Sequence, residues 1–379
     1  MPTADFSFLA HQGTQAGPVL LGFGQDQRAA DPGVRLGATV FLPRYKPGTA
    51  EDRCLDLDAP CSYVLGDPET HRLHFPFDER GIARHDYAYL AEADPLANRD
   101  RFVENTLRAQ ANASRSVLIS PWLIHGIDPT DDHLLANIDF ARRSVAHPLA
   151  KDREVLAGFA VTDAVLENNT ARNRLLDELV ELDLPLYLRV RVVSPESFRQ
   201  YSNASVLEGL RLTVESLQAN GISVLLPQTG LAGWLMMPFG ASSFGSGING
   251  SLQKFPYPTG GFGQPLDWWF CPSILGFVLR DEVGHLSGAS GWLACPCPYC
   301  PALDFTGTNP WDRNAAGRHY LYWCSLLANE VRTAASPVDA VRDRITDAQA
   351  FWTTANASGV LLDPRSEPGH LGDWSAAIA

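Results

Sequence analysis

Three cysteines within six residues constrain this chain more than any other feature. Cys295, Cys297 and Cys300 form a Cys-x-Cys-x-x-Cys cluster with two interleaved prolines, and eighteen further residues separate it from His319. Thiolates this close in sequence can converge on one tetrahedral ion, and an imidazole from the next element completes a Cys3His set. The cluster therefore predicts a closed structural zinc site, whose Zn²⁺ ion binds as the chain folds.

The other cysteines and histidines leave the fourth ligand open at this stage. His285 and Cys324 are alternatives to His319. Seven cysteines, an odd number, in a chain without a visible signal sequence predict reduced thiols and a cytoplasmic location. The cysteines outside the cluster are expected to be buried core thiols, namely Cys54, Cys61, Cys271 and Cys324.

Composition bears on the size of the core and on the kinds of partner. With 45% apolar and 19% charged residues, a chain of 379 residues can bury a full core. The 43 carboxylates outnumber the 30 basic side chains, which gives a net charge of -13. This balance argues against non-specific coating of nucleic acid, although it allows a local basic groove. The longest apolar run, residues 222–241, is interrupted by polar residues, glycines and prolines, so we expect no membrane span.

Helical and apolar segments alternate through the chain after residue 94. Near-continuous apolar strands that alternate with helices indicate a parallel sheet covered on both faces. We therefore predict a TIM-type (β/α)8 barrel, with a doubly wound sheet as the alternative. Helices are predicted near 98–113, 131–147, 171–182, 204–219, 315–333 and 337–354, and strands at 18–23, 36–42, 116–124, 154–162, 186–193, 222–227, 234–239 and 273–279.

Two stretches depart from this alternation. Residues 44–98 are rich in Pro, Asp, Gly and aromatic residues and show no period, so they are interpreted as an irregular insertion. Residues 286–379 contain the cysteine cluster and two helices. We expect them to form a zinc-binding helical subdomain, which the metal fastens to a barrel formed by residues 1–285.

The cysteine cluster also resembles that of a known family. Cys295-Pro-Cys-Pro-Tyr-Cys300, the His319-Tyr-Leu-Tyr322 run, and the unit from Arg99–Leu107 to Ser116–Ile124 are similar to the tRNA-guanine transglycosylases. The similarity is greatest to their archaeal branch and their DNA-modifying relatives, and it covers about residues 94–355. It implies a zinc-containing barrel enzyme that replaces guanine in a nucleic acid by a 7-deazaguanine base.

That resemblance implies two catalytic aspartates, because an anionic carboxylate can both attack and leave an oxocarbenium-like carbon. Asp267, shortly before the cysteine cluster, is the candidate nucleophile, and Asp58 or Asp163 is the candidate acid and base. The family's Asp-Ser-Gly motif is absent from this sequence, and the nearest segment, Asp56-Leu-Asp58-Ala-Pro-Cys-Ser-Tyr63, lacks the glycines.

Further binding residues are predicted from their positions at the ends of barrel strands. Arg189 and Arg191 share one face of a strand and require anionic partners, such as a phosphate or Asp163, or else form a salt-bridged pair inside the barrel. Trp268 and Trp269 can stack a base or belong to the core. The remaining candidates are His125, Gln228 and a glycine-rich loop that could cradle a base or phosphate, with Gly240, Gly245 and Gly247.

Three functions are consistent with these features. The first is a base-exchange enzyme that acts on guanine or a 7-deazaguanine base in tRNA or DNA, with Asp267 as nucleophile. The second is a non-catalytic paralogue on the same fold, which serves as a partner subunit in a homodimer or heterodimer. The third is an unrelated barrel enzyme for a small anionic ligand, held by Arg189 and Arg191.

Overall fold

Eight parallel strands form a nearly closed barrel. The computed structural model describes residues 8–12, 17–30, 36–74, 87–114, 116–128, 132–192, 200–248, 253–256, 267–292 and 294–379. The barrel strands are β1 (Phe8–Gln12), β2 (Leu36–Phe41), β3 (Tyr63–Asp67), β4 (Val117–Ile119), β5 (Glu154–Thr162), β6 (Leu186–Val192), β7 (Val224–Leu226) and β8 (Ala241–Gly247). Strand β1 pairs with both β2 and β8, and pairing continues round the ring until β3 and β4. This closure confirms the predicted barrel and excludes the doubly wound sheet.

Helices alternate with the strands. They are α1 (Gly17–Ala30), α2 (Thr49–Asp58), α3 (Arg99–Ala111), α4 (His133–Ala146), α5 (Asp163–Glu167), α6 (Asn169–Leu182), α7 (Ala204–Ala219) and α8 (Leu231–Met236). After β8 follow a hairpin of β9 (Trp268–Cys271) and β10 (Gly276–Leu279), then α9 (Val283–Ser287), α10 (Arg313–Thr333), α11 (Pro337–Ala357) and α12 (His370–Ala377). Two-residue strands at Ile124–His125 and Phe255–Pro256 lie beside β5 and β6.

Two apolar layers hold the barrel together. Side chains that point inward from alternate strand positions form one cluster, which includes Leu9, Leu65, Ile119, Leu156 and Leu225. The outward-pointing residues of the same strands pack against the helices in a second, larger cluster. Both faces of the strands are therefore buried, which explains why their sequences are near-continuous apolar runs.

Helix α10 completes the ring of helices. It packs against α1 and α8 and covers β1 and β8, and the hydroxyl groups of Tyr320 and Ser246 are 2.8 Å apart in a hydrogen bond. The last two helices follow, with α12 packed against α7 and α11. The helix that carries His319 is therefore part of the barrel's own outer layer. The predicted domain boundary at residue 285 stays a prediction.

Two predicted strands are wrong, and a third is a strand that lies outside the barrel. Residues 18–23 belong to α1, which buries Val19, Leu20 and Phe23 at helical spacing, and residues 234–239 belong to α8 and a short 3-10 helix. Residues 276–279 form a strand, but in the hairpin and not in the barrel. Apolar runs of about six residues do not distinguish a strand from a buried helix by period alone.

The predicted irregular insertion is also too long. Residues 44–98 include α2 and the barrel strand β3, and the described part of the connection from β3 to α3 contains only short 3-10 helices, Thr70–His74 and Ala88–Ala91. Part of that connection, residues 75–86, is outside the described residues. The error arose because α2 has few apolar residues: only Ala50, Cys54 and Leu57 are buried, at spacings of four and three among charged neighbours.

No helix in the described ranges is both long enough and apolar enough to cross a bilayer.

Candidate metal centre and barrel site

The Cys3His residues predicted from sequence do meet at one point. The sulfur atoms of Cys295, Cys297 and Cys300 lie 3.5, 3.2 and 3.3 Å from Nδ1 of His319. All four ligand atoms are within 4.8 Å of one another. Zinc–sulfur bonds of about 2.3 Å and zinc–nitrogen bonds of about 2.0 Å at tetrahedral angles place sulfur about 3.5 Å from nitrogen. The cluster therefore has the donor set and the dimensions of a closed tetrahedral metal site.

Neighbouring aromatic and backbone groups orient the ligands. The Nε2–H group of His319 donates to the carbonyl oxygen of Phe270 at 2.6 Å, which leaves Nδ1 free to coordinate an ion. The ring of Trp269 stacks on the same imidazole with centroids 4.9 Å apart. Trp323 Nε1 donates to the sulfur of Cys295 at 3.2 Å. The hairpin and α10 thus hold the site in place, and Trp269 is a core residue of it.

The alternative fourth ligands do not take part in the cluster. His285 lies exposed on α9, and Cys324 lies one and a half turns beyond His319 in the core. Burial raises the pKa of the Cys324 thiol, so this group stays protonated. Across the ranges that the structure describes, no other group of three or more possible ligand residues converges.

A second polar group lies inside the barrel, between the carboxyl end of β3 and the middle of β6. Asp67, at the end of β3, forms a fully buried ion pair with Arg189 on β6. Tyr187 Oη donates to the Asp67 carboxylate at 2.5 Å, and the Glu69 backbone N–H donates to it at 2.8 Å. Burial raises the pKa of Asp67, and Arg189 opposes this shift. Arg189 therefore has Asp67 as its carboxylate partner, not the Asp163 suggested by the sequence.

Aromatic rings enclose this ion pair. The Arg189 guanidinium carbon lies 5.3 Å from the ring centroid of Phe41, 5.3 Å from Trp122 and 5.4 Å from Phe255. These contacts are within the range of cation–π interactions, which strengthen as water is excluded. The group of Asp67, Tyr187 and Arg189, with the three rings around it, is called the barrel centre below.

A second carboxylate lies beside the barrel centre. Glu69 is almost fully buried and has a left-handed backbone with φ of 42°. Its oxygens accept hydrogen bonds from Arg44 at 3.0 and 3.3 Å and from Arg72 at 2.9 Å. Strained backbone positions of this kind persist only where surrounding contacts hold them, often at functional sites.

His11 reaches the barrel centre from β1. The backbone N–H of Gln228 donates to its Nε2 at 2.8 Å. Burial is the main cause that holds the pKa of His11 well below its ordinary value, and the charge of Arg189 adds to it. The imidazole is therefore neutral, and because Nε2 accepts a hydrogen bond, its proton resides on Nδ1.

Gly245 is required by this position of His11. A Cβ atom on Gly245 would lie 2.3 Å from Nε2 of His11, inside van der Waals contact. We expect Gly245→Ala to displace the imidazole and to lower the free energy of unfolding by about 1–3 kcal/mol, measured by urea denaturation. Gly284→Ala is the control, because nothing lies within 4 Å of its new Cβ; equal effects of the two substitutions would contradict the assigned packing.

The predicted site residues divide between the two ends of the barrel. Asp58 ends α2 and Gly240 precedes β8, which places both at the amino-terminal ends of the strands. Asp267 starts the hairpin and pairs with Arg313 at 3.3 Å, at an exposed position outside the barrel centre. The residues that lie at or just beyond the carboxyl ends of barrel strands are Asp163, Arg191, Gln228 and Gly247. His125 ends the two-residue strand beside β5, and Arg189 lies in the middle of β6. Their catalytic and binding roles stay predictions.

The glycine-rich stretch is a barrel strand and not a loop. Gly245 and Gly247 belong to β8 and pair with Leu9 and His11 of β1. Sequence reasoning missed this strand, and it also missed Asp67, Glu69, Tyr187 and His11 as site residues. The available signal was Tyr63-Val-Leu-Gly-Asp67, an apolar run that ends in a carboxylate as barrel strands with functional ends do.

Comparison with known proteins adds no identification. No protein-family model matches the chain, and no curated protein matches it.

Proposed function

We propose that the protein is a zinc-containing barrel enzyme that exchanges guanine or a 7-deazaguanine base in tRNA or DNA. The observation that carries this proposal is the Cys3His cluster, which joins the insertion after the last barrel strand to the last barrel helix. A cluster late in a barrel, with its fourth ligand on a helix, is the feature by which the sequence resembles tRNA-guanine transglycosylases. Zn²⁺ is the ion that suits three thiolates and one imidazole in tetrahedral geometry.

The metal would be structural and would take no part in the reaction. Cys295, Cys297, Cys300 and His319 supply four protein ligands, so no coordination position is left for substrate. Its contribution is to hold the hairpin against α10, with Phe270 and Trp269 around the imidazole. The chemistry then belongs to residues at the carboxyl ends of the barrel strands.

The proposed reaction is a double displacement at the anomeric carbon of one nucleotide. A carboxylate oxygen attacks that carbon, and the glycosidic C–N bond breaks with its electron pair going to the departing base, which takes up a proton. A ring nitrogen of the incoming base then displaces the carboxylate and gives up its proton. Asp67 and Asp163 lie at the proper ends of their strands for these roles, and Asp267 is the nucleophile implied by the resemblance.

The charges around Asp67, Glu69 and Arg189 support an anionic substrate at this part of the barrel. Arg44, Arg72 and Arg189 face the two carboxylates of Asp67 and Glu69 in direct ion pairs, and the Arg191 guanidinium lies 6.0 Å from the Phe255 ring. The described group therefore has more positive than negative charges, although the whole chain has a net charge of -13. Such a local field attracts phosphate groups and concentrates them at the site.

Incorporation of labelled guanine into tRNA and into DNA tests this proposal. We expect exchange with the metal-loaded protein and a loss of about 100-fold or more in Asp67→Asn or Asp163→Asn. Asp267→Asn tests the nucleophile implied by the resemblance, and Asp58→Asn is the control at the opposite end of the barrel. Absence of exchange on either nucleic acid by folded, metal-loaded protein would reject the proposal. Exchange that requires a second protein would instead support the partner-subunit alternative.

An enzyme for a small anionic ligand is the second candidate function. The observation in its favour is that Arg189, a fully buried cation, has nitrogen atoms without hydrogen-bond partners in the described part of the chain. Such an enzyme would use the same face of the barrel.

A further inference from the structure

The guanidinium of Arg189 is fully buried and makes fewer hydrogen bonds than its N–H groups allow. Its Nη2 atom bonds the Asp67 carboxylate, whereas Nε and Nη1 are buried and have no hydrogen-bond partner within the described residues. The side chain has no solvent-exposed surface. Buried donors on a charged group carry a large desolvation penalty when they remain unbonded. Two nitrogen atoms of Arg189, Nε and Nη1, are thus available as donors to an acceptor inside the barrel.

His11 supplies a further donor close by. Its proton resides on Nδ1, because Nε2 accepts the hydrogen bond from Gln228, and Nδ1 is also buried without a partner among the described residues. The imidazole centroid lies 5.2 Å from the ring centroid of Phe41, and the Arg189 guanidinium carbon lies 5.3 Å from the same centroid. Both donors therefore border one aromatic ring.

The carboxylate oxygens of Asp67 and Glu69 already accept hydrogen bonds. The carboxylate of Asp67 accepts from Tyr187, Arg189 and the Glu69 backbone. The carboxylate of Glu69 accepts from Arg44 and Arg72. The barrel centre thus offers unused donors while its carboxylates are occupied, which favours a ligand group that has acceptors and no donors.

We propose that the barrel centre binds an anionic oxygen group of the substrate, a carboxylate or a phosphate, through Arg189 and His11. An anionic group provides several acceptor lone pairs and no donor, and charge-assisted hydrogen bonds to a guanidinium are stronger than neutral ones. The aromatic rings of Phe41, Trp122 and Phe255 exclude water and make these bonds stronger still. The inference depends on the proposed function only in placing the ligand at the carboxyl end of the barrel.

Titration calorimetry on the full, metal-loaded chain tests the inference with three probes. Benzoate represents a carboxylate on a flat ring, inorganic phosphate represents the other source, and benzamide is the neutral control of the same shape as benzoate. We expect at least one anion to bind and benzamide to bind at least about tenfold more weakly, because benzamide lacks the charge and brings donors. Binding of benzamide as tight as that of benzoate, or binding of neither anion, would overturn the inference.

Variants assign the binding to the barrel centre. Asp67→Asn keeps an acceptor for Tyr187 and Arg189 and removes one negative charge, so we expect it to bind the anion about fivefold or more tightly. Arg189→Lys and His11→Ala should each weaken binding about tenfold or more, whereas Arg142→Lys, at an exposed pair with Glu181, should leave it unchanged. Weaker anion binding in Asp67→Asn would overturn the inference even if the other variants fail to fold.

The two proposals can fail separately. Anion binding that depends on Arg189, without any base exchange, would reject the transglycosylase function and support the inference. If Arg189→Lys and His11→Ala leave the exchange of neutral guanine unchanged and the protein binds no anion, the transglycosylase function is supported and the inference is rejected.

Discussion

Cys297→Ser is expected to release the metal and to destabilise the outer layer of the barrel. Cys297 Sγ lies 3.2 Å from Nδ1 of His319 and 3.4 Å from the sulfur of Cys300. Loss of this buried thiolate leaves only three of the four ligands. Structural zinc sites contribute about 10–16 kcal/mol of apparent binding free energy in small zinc domains. We therefore expect the metal content to fall from one ion per chain to near zero, and the free energy of unfolding to fall by more than about 3 kcal/mol.

Cys324→Ser is the matched control, because Cys324 lies on the same helix and is fully buried. This variant should keep its metal and lose about 1 kcal/mol or less, since the change is small and removes no ligand. Elemental analysis and thermal unfolding, with and without a chelator, measure both effects. Metal that persists in Cys297→Ser, or is lost only in Cys324→Ser, would show that the ligand set is wrongly assigned.

Arg189→Met should have the second largest effect, on stability. The substitution leaves the Asp67 carboxylate inside the barrel without its cation. The Asp67 side chain has no exposed surface, so water cannot replace the lost partner. Removing one partner of a buried ion pair costs about 3–5 kcal/mol, because the remaining charge is uncompensated. Denaturant titration near neutral pH measures the loss. The sensitivity should decrease at low pH, since protonated Asp67 no longer needs a cation and its pKa is already raised by burial.

Two further variants test the cause of this loss. Arg142→Met breaks an ion pair whose side chains are 54% and 74% exposed, and it should cost less than about 1 kcal/mol. The double variant Asp67→Leu with Arg189→Met removes both buried charges and should recover much of the stability lost in the single variant. If the double variant were as unstable as the sum of its parts, packing and not charge would explain the effect.

Helices and the Cys3His ligand group could be predicted from sequence because their signals are local. The helix predicted at 204–219 matches α7 (Ala204–Ala219), and the strand predicted at 154–162 matches β5 (Glu154–Thr162). Both segments repeat their apolar residues over several turns or strand positions. The cysteine cluster is local as well, since three ligands lie within six residues and only His319 had to be chosen among alternatives.

Strand β8 could not be predicted, because its sequence is suited to neighbours that are distant in the chain. Ala-Ser-Ser-Phe-Gly-Ser-Gly has a low intrinsic preference for strands, and glycines in such a run usually indicate a turn. The structure needs a small residue at Gly245, because the imidazole of His11 occupies the space of its side chain. That requirement comes from a residue more than 200 positions away.

The barrel centre was missed for the same reason. Asp67 and Arg189 are 122 residues apart, so no local pattern reports their pairing. The sequence predicted that Arg189 needs an anionic partner, which is correct, but burial of both groups depends on closure of the barrel. The predicted role of Asp58 rests on a short sequence resemblance. Helix α2 runs back to the start of β3, so Asp58 at its end lies at the opposite end of the barrel.

Mass spectrometry under denaturing conditions would detect the covalent nucleotide adduct that base exchange requires. The metal-loaded protein is incubated with tRNA or DNA, quenched in acid, and searched for a covalent nucleotide adduct, with peptide mapping of the modified residue. We expect one zinc ion per chain and a covalent adduct on one aspartate, either Asp267, the nucleophile implied by the resemblance, or Asp67 or Asp163 at the carboxyl ends of barrel strands. No adduct with either nucleic acid, from protein that is folded and contains its metal, would contradict base exchange through a covalent intermediate.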